Sequence, residues 1–154
     1  TGKPVLGIVP YIQSLRIADE DSVSLEDRMA RPKPSQQDLD IVVVRLPRIS
    51  NYDDVESLEH EPGVVVRFVA QPGEIQEADL VILPGSKNTV SDLSWLRTQG
   101  IAPAIEARAR EGKPIVGICG GCQMLGERID DPHGVESTEA QVRGLGLLAL
   151  RTRF

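Results

Sequence analysis

The sequence predicts an α/β fold: a mostly parallel sheet with helices on both faces. Three observations carry that prediction. Short Val/Ile/Leu-rich runs recur at residues 41–44, 64–69, 79–83 and 115–118, the pattern of strands buried on both sides. Segments of helical length lie between several of them, as alternating β and α units require. Glycine or proline follows most of the runs and closes them.

Taken in order, residues 5–9 (Val-Leu-Gly-Ile-Val) read as a strand ending at Pro10. Residues 13–37 change character, with Asp19, Glu20, Asp21, Glu26 and Asp27 followed by Arg-Pro-Lys-Pro-Ser-Gln-Gln. That stretch reads as a linker holding at most a short helix near 24–30, so a domain boundary is expected near Gln37. A strand at 41–44 is closed by Pro47, and a short helix over 52–60 is stopped by Pro62-Gly63. Strands at 64–69 and 79–83 follow. Thr89 or Ser91 can cap a helix running to Leu96, and a second helix at 101–110 has Gly112 as its stop. The last strands are expected at 115–118 and 144–150, with a helix over 123–128 between them.

At 154 residues the chain has room for one ordinary domain with its own core. A net charge of −6 without a lysine-rich stripe, and only 3% aromatic residues, argue against nucleic acid as a partner. No apolar run approaches the roughly 20 residues of a membrane span, and no basic-plus-apolar leader suggests secretion. Two cysteines fit a reducing cytoplasm, which is the expected location.

The chemistry concentrates in residues 115–126, Ile-Val-Gly-Ile-Cys-Gly-Gly-Cys-Gln-Met-Leu-Gly. An apolar run stops at Cys119, and a helix-like segment begins. A sharp strand-to-helix turn is strained and holds its central side chain out at the carboxyl end of the strand. Its neighbours two before and two after must be small, and Gly117 and Gly121 meet that demand. A helix N-terminus beneath the sulfur would favour the thiolate, so Cys119 is the candidate nucleophile. The N–H of Gly120 is one donor for an oxyanion, and the Pro84-Gly85-Ser86 turn offers a second at Gly85. Gly85 reads equally as a plain turn glycine. Ligand crevices in such sheets lie outside the carboxyl ends of the strands, so the two glycine loops should share one pocket. Cys119-Gly-Gly-Cys122 also reads as a C-x-x-C redox pair. A metal site is not expected, since one such pair lacks a second ligand set. His60 and His133 are the two histidines, and neither is convincingly placed as a base.

Residues 117–126 resemble the nucleophile elbow of the class I (triad) glutamine amidotransferases, and more narrowly the cobyric acid synthase branch. Arg-Leu-Pro-Arg-Ile-Ser-Asn at 45–51, Asp-Leu-Val-Ile-Leu-Pro-Gly-Ser-Lys-Asn-Thr at 79–89 and Asp-Leu-Ser-Trp-Leu-Arg at 92–97 resemble that branch's signatures. So do Asp-Pro-His-Gly-Val-Glu-Ser at 131–137 and Gly-Leu-Gly-Leu-Leu at 144–148.

The resemblance implies a flavodoxin-like amidotransferase domain from residue 38 onward, preceded by the tail of an ATP-binding synthetase domain. Glutamine would be hydrolysed at Cys119 through a thioester. The ammonia would amidate carboxylates of adenosylcobyrinic acid a,c-diamide, activated by ATP and Mg in the synthetase domain, with the corrinoid held there. Gly85 and Gly120 would form the oxyanion hole, and Gln123 matches the residue that contacts bound glutamine. The family usually has tyrosine where this chain has Cys122. Its catalytic histidine lies beyond the Gly-Leu-Gly-Leu-Leu segment, at a position His133 does not match. The chain therefore reads as a C-terminally truncated piece with weak activity alone, and an uncovered sheet edge would favour self-association. A non-catalytic amidotransferase-like docking domain is the remaining alternative.

Overall fold

The computed structural model describes Gly7, Ser35 and residues 38–154. The strand expected at 5–9, the short helix near 24–30 and the boundary near Gln37 lie outside the described residues.

The first three Val/Ile runs form β1 (Leu39–Val44), β3 (Val64–Val69) and β4 (Leu80–Leu83), and the fourth forms β6 (Ile115–Gly117). They make one parallel sheet in the order β3-β1-β4-β6. Residues 40–44 are all buried, so both faces of the central strand are covered, as the apolar run implied. Two further strands are two residues long, β2 (Ile49–Ser50) and β5 (Gly85–Ser86), paired antiparallel just beyond the carboxyl ends of β1 and β4. The expected helix at 52–60 is a 3-10 turn (Tyr52–Val55) running into the single-turn α1 (Glu56–Glu59).

Helices α2 (Thr89–Thr98) and α3 (Ile101–Arg110) pack on the core through Leu93, Leu96, Ile101 and Ile105, all fully buried. The cap of α2 is Asn88, one residue before the expected Thr89, and its side chain accepts the Ser91 N–H at 2.8 Å. Gly112 stops α3 in the left-handed region, φ 72°, as glycine permits.

After β6, the helix expected at 123–128 is α4 (Gly120–Leu125). It ends at Gly126 in extended backbone, and the chain turns into β7 (Arg128–Asp130). The strand expected at 144–150 does not form. Its N–H groups serve another purpose: Leu145 donates to Met124 O, Gly146 to Gly126 O, and Leu147 to Leu125 O, each at 2.8 Å. The apolar run thus satisfies the carbonyls left unpaired at the end of α4. Gly144 lies so close to the Gly126 carbonyl that a Cβ would overlap its oxygen. A second sheet of three short strands sets β7 between antiparallel β8 (Gln141–Arg143) and parallel β9 (Arg151–Arg153).

Two arginines are buried with their partners. Arg67 grips Asp40 through Nε at 2.9 Å and Nη2 at 2.7 Å, across β3 and β1. Hydrogen bonding to Asp40 raises the Arg67 pKa despite the opposing effect of burial. Arg108 on α3 is fully buried. It donates to the carbonyls of Ile75, Ala78, Asp79 and Pro114 at 2.7–3.2 Å. Burial lowers its pKa against the attraction of nearby carboxylates.

Candidate active site

The turn between β6 and α4 centres on Cys119, with φ 48° and ψ −113°. A non-glycine residue there is strained by about 1–3 kcal/mol and must be held by its surroundings. The holding is visible. Ile118 N–H donates to Leu83 O at 2.9 Å, and Gly121 N–H donates to Ile118 O at 2.8 Å. A Cβ on Gly117 would come within 2.7 Å of Cys122 Cα and of Leu125 Cδ1. A Cβ on Gly121 would overlap the Leu83 carbonyl oxygen. Both positions flanking the cysteine by two residues therefore exclude any side chain. Cys119 is exposed, while Cys122, three residues on, is half-buried.

The turn that leaves β4 lies against this bend. A Cβ on Gly85 would stand 3.9 Å from the Cys119 Cβ, and one on Gly120 would stand 3.1 Å from the Ser86 nitrogen. The two glycine loops do meet, because β4 and β6 are parallel neighbours with Leu83 opposite Gly117. Gln123 lies on α4 and accepts the Thr89 hydroxyl at 3.2 Å. Thr89 Oγ1 in turn sits where a Cβ on Gly120 would approach to 3.2 Å.

Three residues supporting this region carried no assigned role in the sequence. Asp92, fully buried at the start of α2, accepts the Ser86 hydroxyl at 2.7 Å and the Arg48 N–H at 3.2 Å. It ties the loops after β1 and β4 together. Asp131, 1% exposed, accepts the N–H groups of Val135, Glu136 and Ser137 at 2.7–2.9 Å. Burial opposes its ionisation, but the backbone donors together outweigh that and hold its carboxyl below the usual range. The loop so folded delivers Glu136 to the α2 N-terminus, where its Oε2 accepts the Val90 N–H at 3.2 Å. Asn88 Nδ2 donates to the Glu136 carbonyl at 3.2 Å. The short signature stretches at 92–97 and 131–137 held these residues, but spacing gave no hint that they converge.

The histidines are elsewhere. His60 precedes β3 at the opposite end of the sheet, its Nδ1 2.8 Å from the Glu56 carbonyl. His133 is exposed in the loop organised by Asp131. Among the described residues no cluster of three or more His, Cys, Asp or Glu is placed to hold a metal ion. No helix among them is long and apolar enough to cross a membrane.

The fold and the bend define a class of protein: an α/β sheet with a cysteine on a strained strand-to-helix turn, facing a glycine turn from the adjacent strand. Within that class, the chain belongs to the CobB/CobQ-like glutamine amidotransferase domain family, whose profile matches residues 40–154. Across its whole length it is 67% identical to a cobyric acid synthase of Sorangium cellulosum (strain So ce56). It is 50% identical to one of Rhodococcus jostii (strain RHA1) and 48% to one of Moorella thermoacetica. The chain spans 30% of the length of each.

Among solved structures, a glutamine amidotransferase matches with a TM-score of 0.56 at 21% identity, covering 73% of this chain and 55% of that one. A putative peptidase E of Listeria monocytogenes EGD-e matches with a TM-score of 0.56 at 20% identity, covering 75% and 66%. These two likenesses show the α/β fold.

Proposed function

We propose that the chain is the glutamine-hydrolysing part of a cobyric acid synthase, with Cys119 as the nucleophile. The observation that carries this reading is the exposed Cys119 at φ 48°, set against the Gly85–Ser86 turn. The Cys119 thiolate attacks the side-chain amide carbon of glutamine, and the carbonyl electrons move onto oxygen. The N–H of Gly120, at the first position of α4, has no partner within its helix. With a second donor from the Gly85–Ser86 turn, it would hold that oxyanion. Collapse, with a proton taken from solvent water onto the leaving nitrogen, expels ammonia and leaves a glutamyl thioester, which water hydrolyses to glutamate and free thiol.

Gln123, fixed by Thr89, meets one end of the amino acid, and the Glu136 carboxylate offers its ammonium group a counter-charge. Residues before about 38 would belong to a preceding synthetase domain, a reading supported by the family match beginning at residue 40. The ammonia would serve ATP-dependent amidation of a corrinoid carboxylate there. Neither histidine of this sequence is bonded to the bend, and a positioned base is typically worth about 10²–10⁴-fold. Hydrolysis by this chain alone is accordingly slow.

The test is labelling with an electrophilic glutamine analogue, read by mass spectrometry. Wild type and Cys122→Ser take up one label, and Cys119→Ser takes up none. An unlabelled wild type, or a label on Cys122, overturns the assignment. The redox alternative predicts instead a reversible Cys119–Cys122 disulfide under thiol trapping, with no glutamine-analogue labelling. The docking-domain alternative predicts neither reaction.

A further inference from the structure

The outer face of the three-stranded sheet carries a row of arginines that glutamine hydrolysis does not use. In register, Arg128 on the central β7 stands opposite Arg143 on β8 and Arg151 on β9. Directly opposed residues share a face. Ile129 and Val142, one residue along, fill the buried face, so the arginines take the solvent side. Strands are about 4.8 Å apart, which gives the row a span of about 10 Å. Together with Glu127 and Gln141 it lines a basin of about 430 Å³. Arg97 on α2 donates to the main-chain carbonyls of Arg143 and Gly144, pinning β8 in place.

Like charges directly opposite one another destabilise a sheet, and compensation here is partial. Asp130 pairs with Arg128 at 2.9 Å and Glu127 with Arg151 at 3.0 Å. Among the described residues Arg143 has no side-chain ion pair or hydrogen bond. Arg153, two residues along from Arg151 and opposite Asp130, adds a fourth cation to the same face. Four arginines thus meet two carboxylates on a chain whose net charge is −6.

We propose that this basin binds a small polyanion bearing at least two oxyanion groups. Guanidinium forks pair bidentately with phosphate and with carboxylate alike. Three forks one strand apart suit groups several ångströms apart on one ligand better than a single small anion. The existing surface ion pairs are weak enough to exchange for such a ligand.

The experiment is isothermal titration of the 154-residue chain at low ionic strength, with sodium pyrophosphate in one arm and sodium citrate in the other. Saturable binding is expected in at least one arm, with a Kd below about 1 mM, weakened as salt is raised. Arg143→Gln, an exposed change, should weaken it about tenfold or more. Arg110→Gln, exposed on α3 away from the row, should leave it unchanged. A preference for pyrophosphate marks a phosphate-bearing ligand, and a preference for citrate marks a polycarboxylate. No saturable heat with either anion overturns the proposal, as does equal affinity in the Arg143→Gln and Arg110→Gln proteins.

Discussion

A single methyl group at position 121 would overlap the Leu83 carbonyl oxygen, which is part of a β-strand and cannot swing aside. Gly121→Ala should therefore destabilise the chain by at least about 2–3 kcal/mol and abolish analogue labelling at Cys119. Gly73→Ala, with nothing within 4 Å of its Cβ position, should change neither property. Urea denaturation together with the labelling assay separates the two outcomes. This requirement was legible in the sequence, because small residues at 117 and 121 around a cysteine are what a strained bend needs. The support from Asp92 was not legible. A lone aspartate in the first turn of a helix reads as an ordinary solvated charge. Only the approach of Ser86 and Arg48 from two other loops turns it into a buried tie.

Between residues and fold stand the loops, and the loop at 131–137 makes a pH-dependent claim. Asp131 is held below its usual pKa by backbone donors, against the effect of burial. A carboxyl depressed on folding adds stability above its unfolded pKa of about 3.9, and that contribution is lost as the pH falls through the lower folded value. Wild type should thus exceed Asp131→Asn in urea midpoint at pH 7, with the gap closing as the pH falls below about 4. A gap unchanged down to pH 2 would contradict the assignment. Element boundaries were read well at Val/Ile-rich runs, as at 64–69, although Arg67 interrupts that one. They were misread at 123–128 and 144–150, because Gly126 breaks the helix early and the Gly-Leu-Gly-Leu-Leu stretch spends its N–H groups on α4. Strands β7, β8 and β9 are three residues each, too short to show an alternation.

At the scale of the whole molecule, the parallel sheet and its strand content follow from four Val/Ile runs, but nothing in them dictates the order β3-β1-β4-β6. Nor does the sequence announce Arg108, which reads as a solvated helix charge and is instead buried against four carbonyls drawn from two connections. Removing it takes a donor from each of those oxygens, although Pro114 O keeps the Val81 N–H, so Arg108→Met should lower stability by on the order of 3 kcal/mol in guanidinium denaturation. Arg110→Met, two residues along and exposed, should shift it by less than about 0.5 kcal/mol. The strand order also gives the bend its brace: Ile118 N–H holds the carbonyl of Leu83, at the carboxyl end of the neighbouring β4. Any copy in which β6 has slipped from β4 loses that brace, and its sulfur then rides on an ordinary loop.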